Sequence, residues 1–443
     1  MAREATTSGA PVVRSHVTRR EALAGVGAVL GTAAVMRELP GHAAAPRPAP
    51  AQSAPAPAEQ AAAIGPYDPS WLPEGVRSRF VHNVNGLTMH VLEAGFETEG
   101  RPALLLLHGF PELAYSWRHV MAPLADAGYH VIAPDQRGYG RTTGWSADYD
   151  GSLRPFSRLN AVRDALALVS AFGYRTVDAV IGHDFGSPVA AWSAVARPDI
   201  YRAVALMSAP FGGTPAFPFD TADDGPGSEP PTAPDIYEEM ARLPRPRKHY
   251  QRYYRTREAN ENMWRATQGV HDFMRAYYHH KSADWVENRP YRLAGWTATE
   301  VAKMPTYYIM DLDMGMAETV ALHMPTPAEI AANEWLPDRE LHVYAVEYER
   351  NGFQGGLQWY RSGGVITDEP LTFAGRTIDI PSLFIAGSSD WGAYQRPGSL
   401  ERMQESACTD MRGVHFVDGA GHWVQQEQPE ETVRLLLEFL REA

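Results

Sequence analysis

A chain of 443 residues is longer than one small hydrophobic core requires, so we expect either one large domain with an insertion or two domains. The formal net charge of −13 disfavours nucleic acid and anionic membrane surfaces as partners, since both would repel an acidic protein. A single cysteine, Cys408, excludes an intramolecular disulfide framework. The sequence contains no run of about 18 apolar residues, so we expect no integral membrane span.

The first 45 residues have the order of parts found in an export signal. Arg19-Arg20 precedes a mildly apolar, Ala- and Gly-rich run over 24–36, and an alanine triplet ends at Ala45, where a signal peptidase would accept small residues. This order resembles a twin-arginine export signal. We therefore predict a signal peptide over 1–45 and a secreted or extracytoplasmic protein; the alternative is a chance arginine pair in a disordered terminus.

The next segment, 46–66, is rich in Ala, Pro and Gln. Because proline withholds backbone donors and little apolar surface is available to bury, we expect an extended linker outside the fold. Two alternating segments then flank Asn85-Gly86, which is a strong signal for a β-hairpin. An antiparallel ribbon should therefore open the folded part.

Short apolar runs alternate with amphipathic segments along the rest of the chain. Runs of this length between helical patterns are typical of a mostly parallel sheet with helices on both faces. We therefore predict an α/β core with strands at 103–107, 130–134, 176–181, 203–208, 382–386 and 414–417, and a last helix at 431–440.

The strand pattern stops between 213 and 376. This interval is rich in Tyr, Trp and Met and indicates mainly helices, for example from Asp338 to Asn351, where Gly352 is a typical helix terminator. We interpret it as a helical cap. The α/β core should then consist of a first part over 67–212 and a second part over 377–443.

The segment IGHDFGS, residues 181–187, follows an apolar run and precedes a helical one. The small residues Gly182 and Gly186 permit a sharp strand-to-helix turn, which would raise the side chain of Asp184 above the sheet. The motif therefore predicts an exposed and oriented carboxylate. A helix N-cap aspartate is the alternative interpretation.

Three further segments should end at the same edge of the sheet. A turn after the strand 103–107 can aim the Phe110 amide into the cleft, where it would form a two-donor oxyanion hole with the Phe185 amide. Asp390 and His422 each follow a later strand. The order along the chain is therefore nucleophile, acid, histidine, which is the order of the α/β-hydrolases with aspartate in place of serine.

These motifs resemble those of the epoxide hydrolases of the α/β-hydrolase superfamily. The resemblance runs from about Val81 to Leu440 and is strongest at HGFPELAYSWRHV, GHDFGS, EYERNGFQGGLQWYRS and GAGHWVQQEQPEE. It implies that Asp184 attacks an epoxide carbon to form an ester, and that His422, held by Asp390, activates the water that hydrolyses this ester. An ether formed by a serine could not be hydrolysed in this way, which explains a carboxylate at this position.

The resemblance also implies that two tyrosines of the cap support the epoxide oxygen. Tyr360 lies in the matching segment WYR. Tyr250 lies in the weaker match KHYQRYY, where Tyr253 and Tyr254 are alternatives for the same role. Neighbouring residues are candidates for substrate contact, namely His108, Pro111, Gln251, Trp359 and Trp423.

The implied reactants are a small-molecule epoxide and water, and the product is a vicinal diol. No metal or organic cofactor is required. The sequence leaves open the particular epoxide, the regiochemistry and stereochemistry of ring opening, and the oligomeric state.

Two other functions fit parts of the pattern. A haloalkane or haloacid dehalogenase would use the same aspartate, but the side chains of Phe110 and Phe185 lack the donors that a leaving halide needs. A non-catalytic small-molecule-binding protein would share the fold. The complete set of Asp184, Asp390 and His422 argues against it, because binding alone does not require all three.

Overall fold

The computed structural model describes residues 56–217 and 235–443. The predicted export signal, the first part of the predicted linker and most of the loop that opens the predicted cap lie outside these residues. The strands of the described chain are β1 (Val76–Val84), β2 (Leu87–Ala94), β3 (Ala103–Leu107), β4 (His130–Pro134), β5 (Ala179–His183), β6 (Val204–Met207), β7 (Arg247–His249), β8 (Ile309–Asp311), β9 (Ser382–Gly387) and β10 (Met411–Val417).

The main sheet has the strand order β1-β2-β4-β3-β5-β6-β9-β10. Strand β2 pairs antiparallel with β1 and β4, whereas the other neighbours pair in parallel. Strands β3, β4 and β5 are buried along their whole length, as expected where helices cover both faces of a parallel sheet. The predicted α/β core is confirmed, including its opening hairpin.

Helices pack on the sheet in two groups, α2 with α16 and α3 with α4. None of the helices in the described ranges is both long and apolar enough to span a membrane. The helices are α1 (Pro57–Ile64), α2 (Arg118–Asp126), α3 (Arg158–Ala171), α4 (Gly186–Ala196), α5 (Ile236–Ala241), α6 (Tyr250–Tyr253), α7 (Glu258–Trp264), α8 (Gly269–Lys281), α9 (Ala298–Val301), α10 (Met316–Ala321), α11 (Pro327–Ala332), α12 (Asp338–Asn351), α13 (Gln354–Val365), α14 (Ser399–Arg402), α15 (Val424–Glu427) and α16 (Pro429–Glu442).

The segment between β6 and β9 is mainly helical and contains α5 to α13. Helix α12 has the predicted bounds and is followed by Gly352, whose φ of 64° is favourable for glycine. The short antiparallel pair β7 and β8 also lies here, with Lys248 opposite Met310. This pair was not predicted, because strands of three residues are too short to show an alternating pattern.

The predicted linker, 46–66, is wrong in its last part. Residues Pro57–Ile64 form helix α1, in which Ala61 is buried. The hydroxyl of Thr143 donates a hydrogen bond of 2.6 Å to the carbonyl oxygen of Pro57 and so attaches the helix to the core. The segment PAEQAAAI combines proline at the first helical turn with strong helix formers, and this local preference overrides the Ala/Pro composition.

The core and the helical segment are joined by a buried arginine. Arg118 of α2 forms an ion pair of 2.7 Å with Glu340 of α12. The same guanidinium donates to Gln426 at 2.7 Å and to the carbonyl oxygen of Trp335 at 3.0 Å. These contacts fix the helical segment over the ends of the strands that carry the predicted site.

Candidate active site

Asp184 stands at a sharp turn between β5 and α4. Its φ is 49°, in the left-handed region that a non-glycine residue rarely adopts. A side chain at Gly182 would place its Cβ 2.1 Å from the carbonyl oxygen of Gly186, and one at Gly186 would come within 2.0 Å of the Leu107 oxygen. The two glycines are therefore required for the turn that holds Asp184 at the end of the strand. The carboxylate is oriented as predicted, but it is buried rather than exposed, because the helical segment packs over the turn.

Two main-chain amides hold one oxygen of the Asp184 carboxylate. Oδ1 accepts hydrogen bonds from the amides of Phe110 at 2.9 Å and Phe185 at 2.7 Å. A Cβ at Gly109 would lie only 2.3 Å from the Asp184 Cβ, so a glycine is needed there for the close approach of the two turns. The arrangement leaves Oδ2 free of these amides.

His422 lies between Asp184 and Asp390. Its Nε2 is 3.3 Å from Asp184 Oδ2, in contact but without the alignment of a hydrogen bond. Its Nδ1 is 3.0 Å from Asp390 Oδ1 and 2.9 Å from the Ser208 hydroxyl. The structure thus brings together the three side chains that the order along the chain predicts, and it adds Ser208, which the sequence analysis missed.

Both carboxyl groups are held in the ionised state. Burial raises the pKa of Asp184, but contact with His422 and the nearby charge of Lys281 bring it well below its usual range. Burial likewise raises the pKa of Asp390, but the interactions with His422 and Ser208 lower it by more, so that the net shift is downward. Asp184 is therefore available as a nucleophile at neutral pH.

A buried ion pair between His183 and Glu112 contacts the main chain at His422. His183 Nδ1 lies 2.6 Å from Glu112 Oε2, and its Nε2 lies 2.7 Å from the carbonyl oxygen of His422. Glu112 also accepts the amide of Gly109 at 3.0 Å. Despite burial, the pair lowers the pKa of Glu112 and raises that of His183, which favours the charged form of both. The sequence analysis missed Glu112, although it lies within the motif HGFPE.

Tyr360 packs directly over the two residues that supply the amides. Its ring centroid is 4.4 Å from that of Phe185 and 5.5 Å from that of Phe110, with edge-on geometry in both cases. Burial, followed by the proximity of Tyr250 and Asp184, raises the pKa of Tyr360. The phenol therefore stays protonated and remains a hydrogen-bond donor.

Tyr250 lies next to Tyr360, with ring centroids 5.9 Å apart. Its hydroxyl donates a hydrogen bond of 3.2 Å to Gln395. The Tyr250 hydroxyl also accepts a hydrogen bond of 3.1 Å from Gln251. Burial and the charge of Asp184 raise the pKa of Tyr250, so that this phenol too stays protonated.

The two alternative tyrosines lie in different surroundings. The hydroxyl of Tyr254 donates to that of Tyr277 at 3.3 Å, although the Tyr254 ring lies 5.0 Å from that of Tyr360. Lys248 Nζ lies over the Tyr253 ring, 4.6 Å from its centroid. The assignment of Tyr250 as the second phenol of the site stays a prediction.

The residues predicted to contact substrate differ in what they offer. Trp359 and Trp423 each donate the indole N–H to a main-chain carbonyl oxygen, at 2.8 and 2.9 Å. His108 is fully buried and accepts a main-chain amide at 3.1 Å. The carbonyl oxygen of Pro111 accepts a tyrosine hydroxyl at 3.2 Å. Gln251 alone among the five donates to a phenol of the site, and a role in substrate contact stays a prediction for all of them.

The arrangement has a definite chemical capacity. A carboxylate with one amide-held oxygen can attack an electrophilic carbon, while two protonated phenols can support a leaving oxygen. A histidine oriented by a second carboxylate can then act as a general base.

The comparison with protein-family models finds one broad match. Residues 102–429 match the family described as alpha/beta hydrolase fold. The match covers the strands, the turns and the helical segment that together form the site.

Curated relatives match over most of their length. The chain is 34% identical over 378 residues to epoxide hydrolase A of Mycobacterium tuberculosis, covering 81% of this chain and 95% of the relative. It is 30% identical over 375 residues to epoxide hydrolase B of the same organism, covering 81% of this chain and 96% of the relative.

Solved structures give the same result. An epoxide hydrolase from an endophytic Streptomyces is 29% identical, with a TM-score of 0.65 over 83% of this chain and 96% of that one. Epoxide hydrolase A from Mycobacterium thermoresistibile is 32% identical, with a TM-score of 0.62 over 83% of this chain and 98% of that one.

Proposed function

We propose a two-step epoxide hydrolysis for this protein, which belongs to the epoxide hydrolases of the α/β-hydrolase fold family. One observation carries the proposal: two amides hold one oxygen of Asp184, while the phenol ring of Tyr360 packs on Phe185 of the same turn with the Tyr250 ring beside it. The substrate is a small-molecule epoxide, and the product is a vicinal diol.

In the first step, Asp184 Oδ2 attacks a saturated carbon of the epoxide, and the bond between this carbon and the epoxide oxygen breaks. Tyr250 and Tyr360 donate hydrogen bonds to the oxygen as it becomes negative, which in a dry site stabilises the transition state by roughly several kcal/mol. One phenol gives its proton to this oxygen and later regains one from solvent. The step ends with an ester between Asp184 and the substrate.

In the second step, His422 takes a proton from water, and the resulting hydroxide attacks the acyl carbon of the ester. Asp390 stabilises the imidazolium through Nδ1. The negative charge that forms on Asp184 Oδ1 is held by the amides of Phe110 and Phe185. The ester bond breaks, and the second hydroxyl of the diol takes the proton back from His422. Asp184 then gives its carboxyl proton to solvent, which balances the proton that the phenol regains, and the carboxylate is restored.

The source of the second hydroxyl tests this proposal. Excess enzyme is incubated with styrene oxide in water enriched in oxygen-18 for a single turnover. We expect an unlabelled diol and a labelled Asp184, because the oxygen of the new hydroxyl comes from the side chain. A labelled first diol would instead show that water attacks the epoxide directly.

Export is a separate proposal that rests on the sequence alone. Residues 1–45 carry Arg19-Arg20, the apolar run and the alanine triplet in the order of a twin-arginine signal. A fusion of these residues to a folded reporter should appear outside the cytoplasm. Replacement of both arginines by lysine should abolish export, and export that survives this change would contradict the assignment.

A further inference from the structure

A lysine is buried in an aromatic cage beside the active site. Lys281, the last residue of α8, is only 3% exposed. Four rings surround its ammonium, and no carboxylate in 56–217 or 235–443 lies within ion-pair distance of it. The rings, with their distances from Nζ to the ring centroid, are Tyr277 (5.4 Å), Tyr307 (5.9 Å), Tyr308 (5.1 Å) and Trp423 (5.2 Å).

Such a residue requires a physical reason. Burial of an ammonium is costly, and the faces of aromatic rings recover only part of the lost hydration. Burial accordingly lowers the pKa of Lys281, while the charges of Asp184 and Asp390 oppose this shift. The ammonium is thus held within the field of the two carboxylates on either side of His422.

The lysine is tied to the histidine through the main chain. The amide of His422 donates a hydrogen bond of 2.9 Å to the carbonyl oxygen of Lys281. Trp423, which forms one wall of the cage, lies 4.6 Å from the His422 ring. Glu427 accepts the amides of Ala283 and Trp423 at 2.7 and 2.9 Å and so joins the two segments. The ammonium and the imidazole are therefore fixed relative to each other.

Two negative charges face the His422 imidazole. The ring lies 3.3 Å from Asp184 Oδ2 and 3.0 Å from Asp390 Oδ1, and both carboxyl groups are ionised. The neighbouring pair of Glu112 and His183 is neutral as a whole. Burial outweighs three main-chain amides and raises the pKa of Glu427 to about 8, so this group is uncharged at neutral pH. Among the described residues around His422, Lys281 is the cation that has no carboxylate within ion-pair distance.

We propose that Lys281 is a positioning residue for ester hydrolysis, whose positive charge offsets the negative charge beside His422 while the imidazole takes a proton from water. The inference rests on the proposed two-step reaction. In the ester intermediate Asp184 is uncharged, and the charge of Lys281 then offsets that of Asp390. Without the lysine, the charge of Asp390 would stand alone beside the imidazole.

The pH dependence of ester hydrolysis tests this role. Lys281→Met removes the charge with little change of shape, and single-turnover hydrolysis of the ester is followed by rapid quenching and intact mass at a series of pH values. We expect the acid limb of the profile to move to higher pH by about one unit, so that hydrolysis below the limb slows about tenfold. Lys281→Arg retains the charge, and its acid limb should stay at the wild-type position.

A matched control separates charge from stability. Arg275 lies on the same helix, is equally buried, and pairs with Asp338 at 2.7 Å, so it has a carboxylate partner of its own. Arg275→Met should lower the melting temperature without moving the acid limb. Lys281→Gln provides a second neutral variant should the methionine variant fail to fold.

The possible failures are distinguishable. A folded neutral variant at position 281 whose acid limb is unmoved, or moves to lower pH, overturns the role of Lys281 while the ester still forms and decays. The same conclusion follows if Lys281→Arg shifts the limb as far as Lys281→Met. A wild-type enzyme that forms no ester overturns the two-step reaction itself.

Discussion

The core and the cap build the two sides of the site by different means. On the core side, Asp184, Asp390 and His422 stand at the ends of strands, and hydrogen bonds or polar contacts of 3.3 Å or less fix each of them. On the cap side, Tyr250 and Tyr360 are placed mainly by the packing of rings. Hydrogen bonds fix direction as well as distance, whereas ring contacts tolerate small shifts. The core side therefore holds its groups in fixed directions, whereas the cap side allows its rings small shifts.

The largest effect should come from the core-side base. His422→Ala removes the group that activates water, so turnover should fall by at least about 10³-fold while ring opening continues. Intact mass should then show one substrate adduct on each chain. His271→Ala, at a histidine on the surface of the cap, is the matched control and should accumulate no adduct. An inactive His422→Ala protein without adduct would contradict the two-step scheme.

The cap-side donor should have a smaller effect, confined to one step. Tyr360→Phe removes a donor to the epoxide oxygen but leaves the ring packing intact, so ring opening should slow about 10- to 100-fold. Ester hydrolysis should change by less than about threefold, because the amides that hold its oxyanion are untouched. Stopped-flow and quench measurements separate the two rates. Tyr253→Phe is the control, and equal slowing of both steps by Tyr360→Phe would remove that residue from its proposed role.

The junction between the two sides should respond to pH. Burial raises the pKa of Glu340, but contacts with His119 and Arg118 lower it to about 2. The ion pair therefore contributes stability that is complete above the ordinary pKa of 4.5 and is lost as the pH falls towards about 2. Glu340→Gln should lower the free energy of unfolding at neutral pH by about 1 to 2 kcal/mol, reduced by partial solvation of the carboxylate.

Urea unfolding at several pH values checks this prediction. The difference between Glu340→Gln and wild type should shrink steadily from pH 5 to pH 2. A difference that is constant over this range would show that packing at the junction, rather than the charge of Glu340, supplies the stability.

The smallest effect should come from the residue that assists on the core side. Ser208→Ala removes the hydroxyl 2.9 Å from His422 Nδ1 but leaves Asp390 in contact with the same nitrogen. Ester hydrolysis should slow only about three- to fivefold, in keeping with the loss of one of two hydrogen bonds. A loss as large as that of His422→Ala would mean that Ser208, and not Asp390, orients the imidazole.

Much of the core was predictable because its signals are local. The strands β3 and β4 have the predicted bounds, since each is a short apolar run that is buried along its whole length. The turn at Asp184 follows from its flanking glycines. The meeting of Asp184, Asp390 and His422 follows from a rule of parallel sheets, whose strands end at one edge.

The remaining residues could not be predicted because their partners are far apart in the sequence. Glu112 meets His183 across 71 positions, and Ser208 meets His422 across 214. The role proposed for Lys281 depends on its proximity to Asp184 and Asp390, which lie in two turns far from it in the sequence. No local pattern reports such pairings, and for Tyr250 only a family resemblance separated it from its neighbours Tyr253 and Tyr254.

Two amides hold the same oxygen of Asp184, Oδ1, so the two oxygens of this carboxylate are not equivalent. In the proposed reaction Oδ1 stays on these amides, while Oδ2 leaves with every diol and is replaced by an oxygen from water. After many cycles in water enriched in oxygen-18, the Asp184 side chain of each molecule should carry one oxygen-18 atom rather than two. The enzyme would then replace one oxygen of its own nucleophile at each cycle, and always Oδ2.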